Sequence, residues 1–468
     1  GYNAGSGLTD GGYNVIIGKD AGLVTNGGRN VMIGTEVADA ATSCDNNVII
    51  GDGAAGIGVL TGNENVVIGS EAGEDMTSAN NNVVIGYQAG EELTTGIKNV
   101  LIGRDAGEKM TGGGNATIVG YQAGANNTAH ELTAFGSKAG NANTSGGGIT
   151  AIGREAYDSA TDENHNTAVG LNSLLSTTTG ASNVAVGCGS LQANTTGAGN
   201  TAVGLRSGFT NQTSDSNTSM GQDSLRCNTG ANNTAVGMCS LGANTSGSPN
   251  TAVGSCALLA NTTGANNTAI GYQSLQSNTS GIRNTAIGHG TLNLNVSGQC
   301  NIAIGQVALN KTTASNNTAV GNSTLKYNTT GSENTAVGKS ALIANTTGGY
   351  NTAVGRSALH SNTTGDYNTA SGYRALYSNE EGSGNLALGY KAGYSETGSN
   401  KLYISSYDDS NSAERDLITG DFSTGELSLG QTSGTVSVLN NLDVDEGLDV
   451  GGNLDVDGNL ETDALSIN

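Results

Sequence analysis

Six cysteines and four histidines are the residues best suited to nucleophilic, redox or metal chemistry in this 468-residue chain. The thiols are Cys44, Cys188, Cys227, Cys239, Cys256 and Cys300, with no Cys-x-x-Cys pair and no zinc spacing among them. His130, His165, His289 and His360 lie 35 to 124 residues apart, with no recurring acidic or nucleophilic companion. Paired carboxylates and phosphate-binding loops are equally lacking, and the many Gly-x-Gly runs read as turn material. Asp455-Val-Asp457-Gly-Asn459 invites a calcium reading, but Leu460 stands where an EF-hand loop needs glycine and no glutamate closes the loop. The sequence therefore predicts no catalytic residue, no cofactor site and no metal site, and the chain is expected not to be an enzyme.

One spacing does stand out. Cys239 and Cys256 are 17 residues apart, and 17 is the period of nearly everything else. Starting at Gly1, Gly18, Gly34, Gly51, Gly69 and Gly86, and continuing through Gly187, Gly254 and Gly338 to Gly389, 24 anchor glycines recur every 16 to 18 residues. A period this short over so much chain means a solenoid, because one unit cannot bury its own apolar face.

Positions are counted from each anchor glycine. Residues −3 to −1 (Val-Ile-Ile at 15–17, Thr-Ala-Val at 201–203) read as a short strand apolar on both faces. A second apolar pair at +3 and +4, such as Ala341-Leu342, reads as a second strand, and Asn194-Thr-Thr-Gly197 as a polar turn. Asparagine fills −4 in 20 of 23 units, including Asn14, Asn200, Asn267 and Asn351; Ala116, Leu132 and Ile149 are the exceptions. A second row at +7 includes Asn194, Asn261, Asn278 and Asn345. Coils stacked ~4.8 Å apart would let these amides hydrogen-bond along columns. Several also fit the N-glycosylation pattern, which is cheap in this composition. Equal register puts Cys239 and Cys256 within disulfide reach, yet stacked side chains point the same way, so a thiol ladder and a disulfide are both open.

Up to about residue 119, position −2 is bulky (Met32, Ile49, Leu101) and +4 small (Gly22, Gly90, Gly107); from about 168, −2 is nearly always alanine and +4 usually leucine. Interiors pack to near-constant density, so −2 and +4 should fill one space. Gly140 and Gly208 lack the leucine, and Phe135 and Phe209 beside them are expected to compensate. Val203 and Leu342 are expected core residues. A slim coil has one interior, so the outer face of the strand should meet another copy of the chain.

After Gly389 the rhythm changes. Residues 401–405 and 434–439 alternate as strands do, and then Leu442, Leu448, Leu454 and Leu460 recur every six residues. Two apolar residues in six cannot core a monomer, but three wound chains could supply one. The expected fold is all-β: a parallel β-solenoid of about 17 residues per coil and about 23 coils, then a β-rich connector and a six-residue-repeat trimeric β shaft. Its expected divisions are a bulky-at-−2 subtype (1–119), junction coils (120–160), an Asn-Thr-Ala-Val-Gly subtype (161–399), the connector (400–440) and the shaft (441–468).

Glycine numbers 75 and proline one; net charge is −22. Such acidity disfavours nucleic acid, no basic run relieves it, and no apolar stretch is long enough to span a membrane. The chain opens on a repeat anchor and stops inside the six-residue pattern, as an excerpt of a longer protein would.

Asn-Thr-Ala-Val-Gly followed by x-x-Ser/Ala-Leu is similar to the repeats of trimeric autotransporter adhesin heads, and Val48-Ile-Ile-Gly51 and Val83-Val-Ile-Gly86 come closest. The chain resembles still more the phage tail-fibre-domain proteins, where such arrays precede segments like Lys401-Leu-Tyr-Ile404, Gly420-Asp-Phe422 and the Gly-Asn-Leu-x-Val of 452–456. That resemblance implies a parallel homotrimer in a virion tail or at a cell surface, spacing a tip that meets a host receptor. A bacterial surface adhesin or extracellular filament is the alternative. Ice binding is a remote third, opposed by the expectation that the −3 threonines are buried in phase with core valine.

Overall fold

The computed structural model describes residues 1–23, 26–128, 130–161, 164–408 and 413–430. The described residues contain no α-helix. They form 26 strands in one sheet, of which the first 23 are the −3 to −1 triplets, β1 (Val15–Ile17) through β23 (Leu386–Leu388). Consecutive triplets pair in parallel and in register, for example Thr251↔Thr268, Ala252↔Ala269 and Val253↔Ile270. The chain is a parallel β-solenoid of about 23 coils and about 17 residues per turn. At ~4.8 Å per coil the rod is on the order of 110 Å long.

Residues +1 to +6 form turns, so the expected second strand is absent. Backbone at +2 and +4 takes positive φ, as at Ser340 (59°) and Leu342 (49°), which prevents an extended run. The turn still joins the ladder: Ser340 N–H donates to the Asn322 carbonyl on one side, and Leu342 N–H to the Ala358 carbonyl on the other. Most early coils put glycine at +4, where left-handed backbone is nearly free, with Ala38 and Ala55 the exceptions; later coils hold leucine there at a cost of about 1–2 kcal/mol. Full burial of that leucine, worth about 1.5–3 kcal/mol, offsets it.

The triplets alternate strictly. Position −2 faces the interior, while −3 and −1 are half-buried or exposed on the outside. The expectation that Val203 is a core residue is therefore wrong: it faces outward, and Ala202, at 0% exposure, is the interior residue. The −3 threonines share the outer face with the −1 valines, which removes the burial argument against ice binding. The shared space of −2 and +4 is direct: a β-carbon at Gly90 would lie 2.7 Å from Leu101 Cδ1. The compensation expected of Phe135 and Phe209 fails. Phe135 sits outside at 41% exposure, and Phe209 lies against Gly189. Instead Leu132, taking the −4 asparagine position, fills the space over Gly140. Near Gly208 the apolar core breaks between Ala202 and Leu225, where the Ser207 hydroxyl bonds those of Ser219 and Ser224 at 2.7 and 3.0 Å.

Strand β24 (Lys401–Asp408) pairs in parallel with β23 and antiparallel with β25 (Ala413–Asp421), which pairs with β26 (Glu426–Leu429). Tyr403 takes the −2 column opposite Ala387 and packs on the core, so β24 covers the last coil. Lys401 and Asp421 are paired at 2.5 Å across β24 and β25. The six-residue repeat, with Leu448 and Leu454, lies outside the described residues, as do residues 431–440 of the expected connector.

Candidate binding surfaces

The anchor glycines form the expected column. A β-carbon at Gly187, Gly254 or Gly338 would stand 2.5 Å from the carbonyl oxygen of the next anchor, and Gly18, Gly51 and Gly86 approach theirs more closely still. With φ of 135° at Gly254, only glycine fits.

The asparagine rows are internal ladders. Asn14 accepts from the Asn30 N–H and side-chain amide at 2.9 and 3.1 Å and donates to the Gly27 carbonyl at 2.8 Å. Asn200, Asn267 and Asn351 repeat the pattern: backbone N–H to the preceding Oδ1 and Nδ2 to a turn carbonyl, at 2.8–3.0 Å. Lys401 N–H closes the row on Asn385 Oδ1. Where Ile149 breaks it, Tyr157 is fully buried and its hydroxyl accepts from Asn166 Nδ2 at 2.9 Å. Asn194, Asn261 and Asn345 at +7 are 0% exposed, so these candidate glycosylation sites are closed in the folded coil.

Cys239 and Cys256 sit side by side at +2 as free thiols, half-buried on the surface. Burial, and then the neighbouring Cys256, push the Cys239 thiol up. With Cys227, Arg226 and Asp223 it lines a shallow pocket of about 230 Å³, and Arg206 pairs with Asp223 at 3.0 Å. Among the described residues no three His, Cys, Asp or Glu side chains are placed to hold a metal ion, and no helix is long and apolar enough to cross a membrane.

Two exposed surfaces remain. The first is the outer strip: −1 is apolar in 22 of 23 coils, and −3 is valine, isoleucine, leucine or threonine throughout. Ile17, Ile152, Ile304, Val354 and Leu388 are each at least 38% exposed along it. The second is a row of rings and cations near the end of the solenoid. Tyr373 stacks on Tyr390 at 5.3 Å, and His360 on Tyr377 at 4.6 Å, which in turn stacks on Tyr394 at 5.1 Å. Arg374 lies over Tyr373 and Tyr377 at 5.2 and 5.3 Å. Sequence inspection finds no basic run because these residues stand a whole coil apart; folding each coil onto its anchor register would have found it.

No protein-family model, curated protein or solved structure matches this chain.

Proposed function

We propose that the chain is a structural fibre: a parallel homotrimer forming the shaft of a viral, phage-type tail fibre that spaces or presents a host-receptor-binding tip. The outer strip carries this reading. A row of valine and isoleucine side chains repeated at coil spacing over the whole rod is far more apolar surface than a monomer leaves in water. Copies meeting through it in the same direction would keep every coil in register with its equivalents. The antiparallel strands after β23 serve as connector, and the six-residue repeat of 441–468 continues as a trimeric shaft. The fibre acts without a cofactor, outside the cell, in a virion tail. An adhesin or filament subunit on a bacterial surface is the same object with a different base.

Light scattering on the purified chain tests this. Three times the 46.4 kDa chain mass is expected; a stable monomer would sink the proposal. Ice binding gains one observation, the outward threonines at −3, and predicts the opposite state of the strip: open to water, with thermal hysteresis in solution.

A further inference from the structure

We propose that the face formed by positions +1, +2, +5 and +6 in the coils anchored at Gly321 to Gly389 binds a linear polysaccharide that carries carboxylates. The inference deepens the surface-fibre reading, and rests on it only for where such a polymer is met.

Charge on this face changes sign along the rod. In the six coils anchored at Gly18 to Gly103, these four positions hold eleven carboxylates and three cations. In the five coils from Gly321 to Gly389 they hold five cations and no carboxylate. Lys339, Arg356, Arg374 and Lys391 supply one cation in each of four successive coils. The carboxylates of this region, Glu333, Asp366, Glu380, Glu381 and Glu396, stand at other positions of the coil. None of the ion pairs among the described residues involves Lys339, Arg356 or Arg374.

Two further observations point to a ligand. Nε of Arg374 and Nδ1 of His360 are shielded from solvent and have no hydrogen-bond partner among the described residues. Buried polar atoms are ordinarily satisfied, and an arginine fork is built to take a carboxylate with two parallel bonds. Tyr373 and Tyr377 spend their ring faces on neighbouring rings and on Arg356 and Arg374, which leaves their edges and phenolic hydroxyls to meet a hydroxyl-rich chain. Charge density selects the polymer class. Duplex DNA carries one charge per ~1.7 Å, nearly three times the density of the cation row, so most of its phosphates would go unpaired. One cation per ~4.8 Å coil matches a polymer with one carboxylate per sugar.

The test uses the full chain at low salt, with polygalacturonate, neutral dextran and single-stranded DNA as probes in titration calorimetry. Polygalacturonate alone should bind, and Arg356→Gln and Arg374→Gln should each weaken it about tenfold. Lys138→Gln, on a distant coil, should leave it unchanged. Tyr373→Phe with Tyr377→Phe keeps the stacked rings, removes the hydroxyls and should also weaken binding, so a misfolded arginine variant does not decide the matter. Dextran binding as well as polygalacturonate, or DNA binding as tightly, would overturn the proposal. So would self-association lost in Arg374→Gln without polygalacturonate binding, which would make the acidic face of a second copy the occupant. Light scattering on the same samples separates the two readings: a trimer that binds nothing overturns this inference alone, and a monomer that binds overturns the fibre alone.

Discussion

Asn278 donates its side-chain amide to Oδ1 of Asn261, one coil earlier, across 2.8 Å, and both side chains are fully buried. The same amide reaches the Gly281 carbonyl at 3.1 Å, so one side chain ties its own turn to the neighbouring coil. Donors run from later coil to earlier coil in both rows, and aligned amides in a dry interior polarise one another.

Replacing Asn278 by Asp should therefore be worse than replacing it by Leu. A carboxylate would face the Asn261 oxygen and the Gly281 carbonyl with no proton to offer, a buried unpaired charge. Leucine orphans the two acceptors, about 1–3 kcal/mol each, but early coils already accommodate Met76, Leu93 and Met110 at +7. Hydrogen exchange over residues 261–295 checks the order, and equal protection in the Asp variant and the parent contradicts the ladder's role.

Gly254→Ala should open the coils around it. The added methyl would stand 2.5 Å from the Gly271 carbonyl oxygen with φ at 135°, so neither side chain nor backbone can relax without breaking the ladder. A cost of at least ~3 kcal/mol is expected, read as protease cleavage near residue 254. Gly12→Ala, with nothing within 4 Å of the new atom, should be silent, and equal behaviour of the pair would refute the column.

Periodicity made the solenoid legible: a glycine every 17 residues and three β-branched or apolar residues before it leave little choice. The volume trade between −2 and +4 was legible for the same reason. That −1 faces away from that space was not, because Thr-Ala-Val and Val-Ile-Ile offer apolar side chains to either face and Val203 reads as core. Alanine at −2 is the interior residue because leucine at +4 already fills the space above it, as Leu342 does. The turn at +1 to +6 escaped because leucine at +4 hides a left-handed residue that glycine had advertised in early coils. The cationic row was invisible in a linear reading, since its members are neighbours only after coiling.

Acidification should affect the two ends of the solenoid in opposite ways. Burial raises the Glu91 carboxyl, and Glu108 and Glu74 beside it raise it further. An acid raised in the folded state favours folding when protonated, so the early coils should gain protection as pH falls toward the carboxylate range. His360 is held below the ordinary histidine value by burial and by Arg374. Its neutral form is the one the fold accepts, so stability near residues 355–394 is complete above the unfolded pKa of about 6.5 and is lost as pH falls through the lower folded value. Exchange profiles at pH 7 and pH 5 should diverge in these directions. A His360 titration midpoint above that of a free imidazole would contradict the assignment.

Ala202 and Val203 are adjacent in sequence and face opposite ways, which makes them the sharpest probe of how the rod is held together. Ala202→Asp places a carboxylate in the dry interior between Ala185 and the Ser219 that replaces alanine in the next coil. Local unfolding of those coils is expected whatever the oligomeric state, because each coil leans only on its neighbours. Val203→Asp leaves the coil interior intact and adds a charge to the outer strip, at nearly the same height in every copy. If the strip is where three chains meet, this variant should keep its β-sheet circular dichroism and its coil hydrogen-exchange pattern while assembling poorly near residue 203. Assembly should return in part at low pH, where the carboxylates are protonated. Val203→Asp that assembles as the parent does, with flanking coils equally protected, would move the contact surface off the strip.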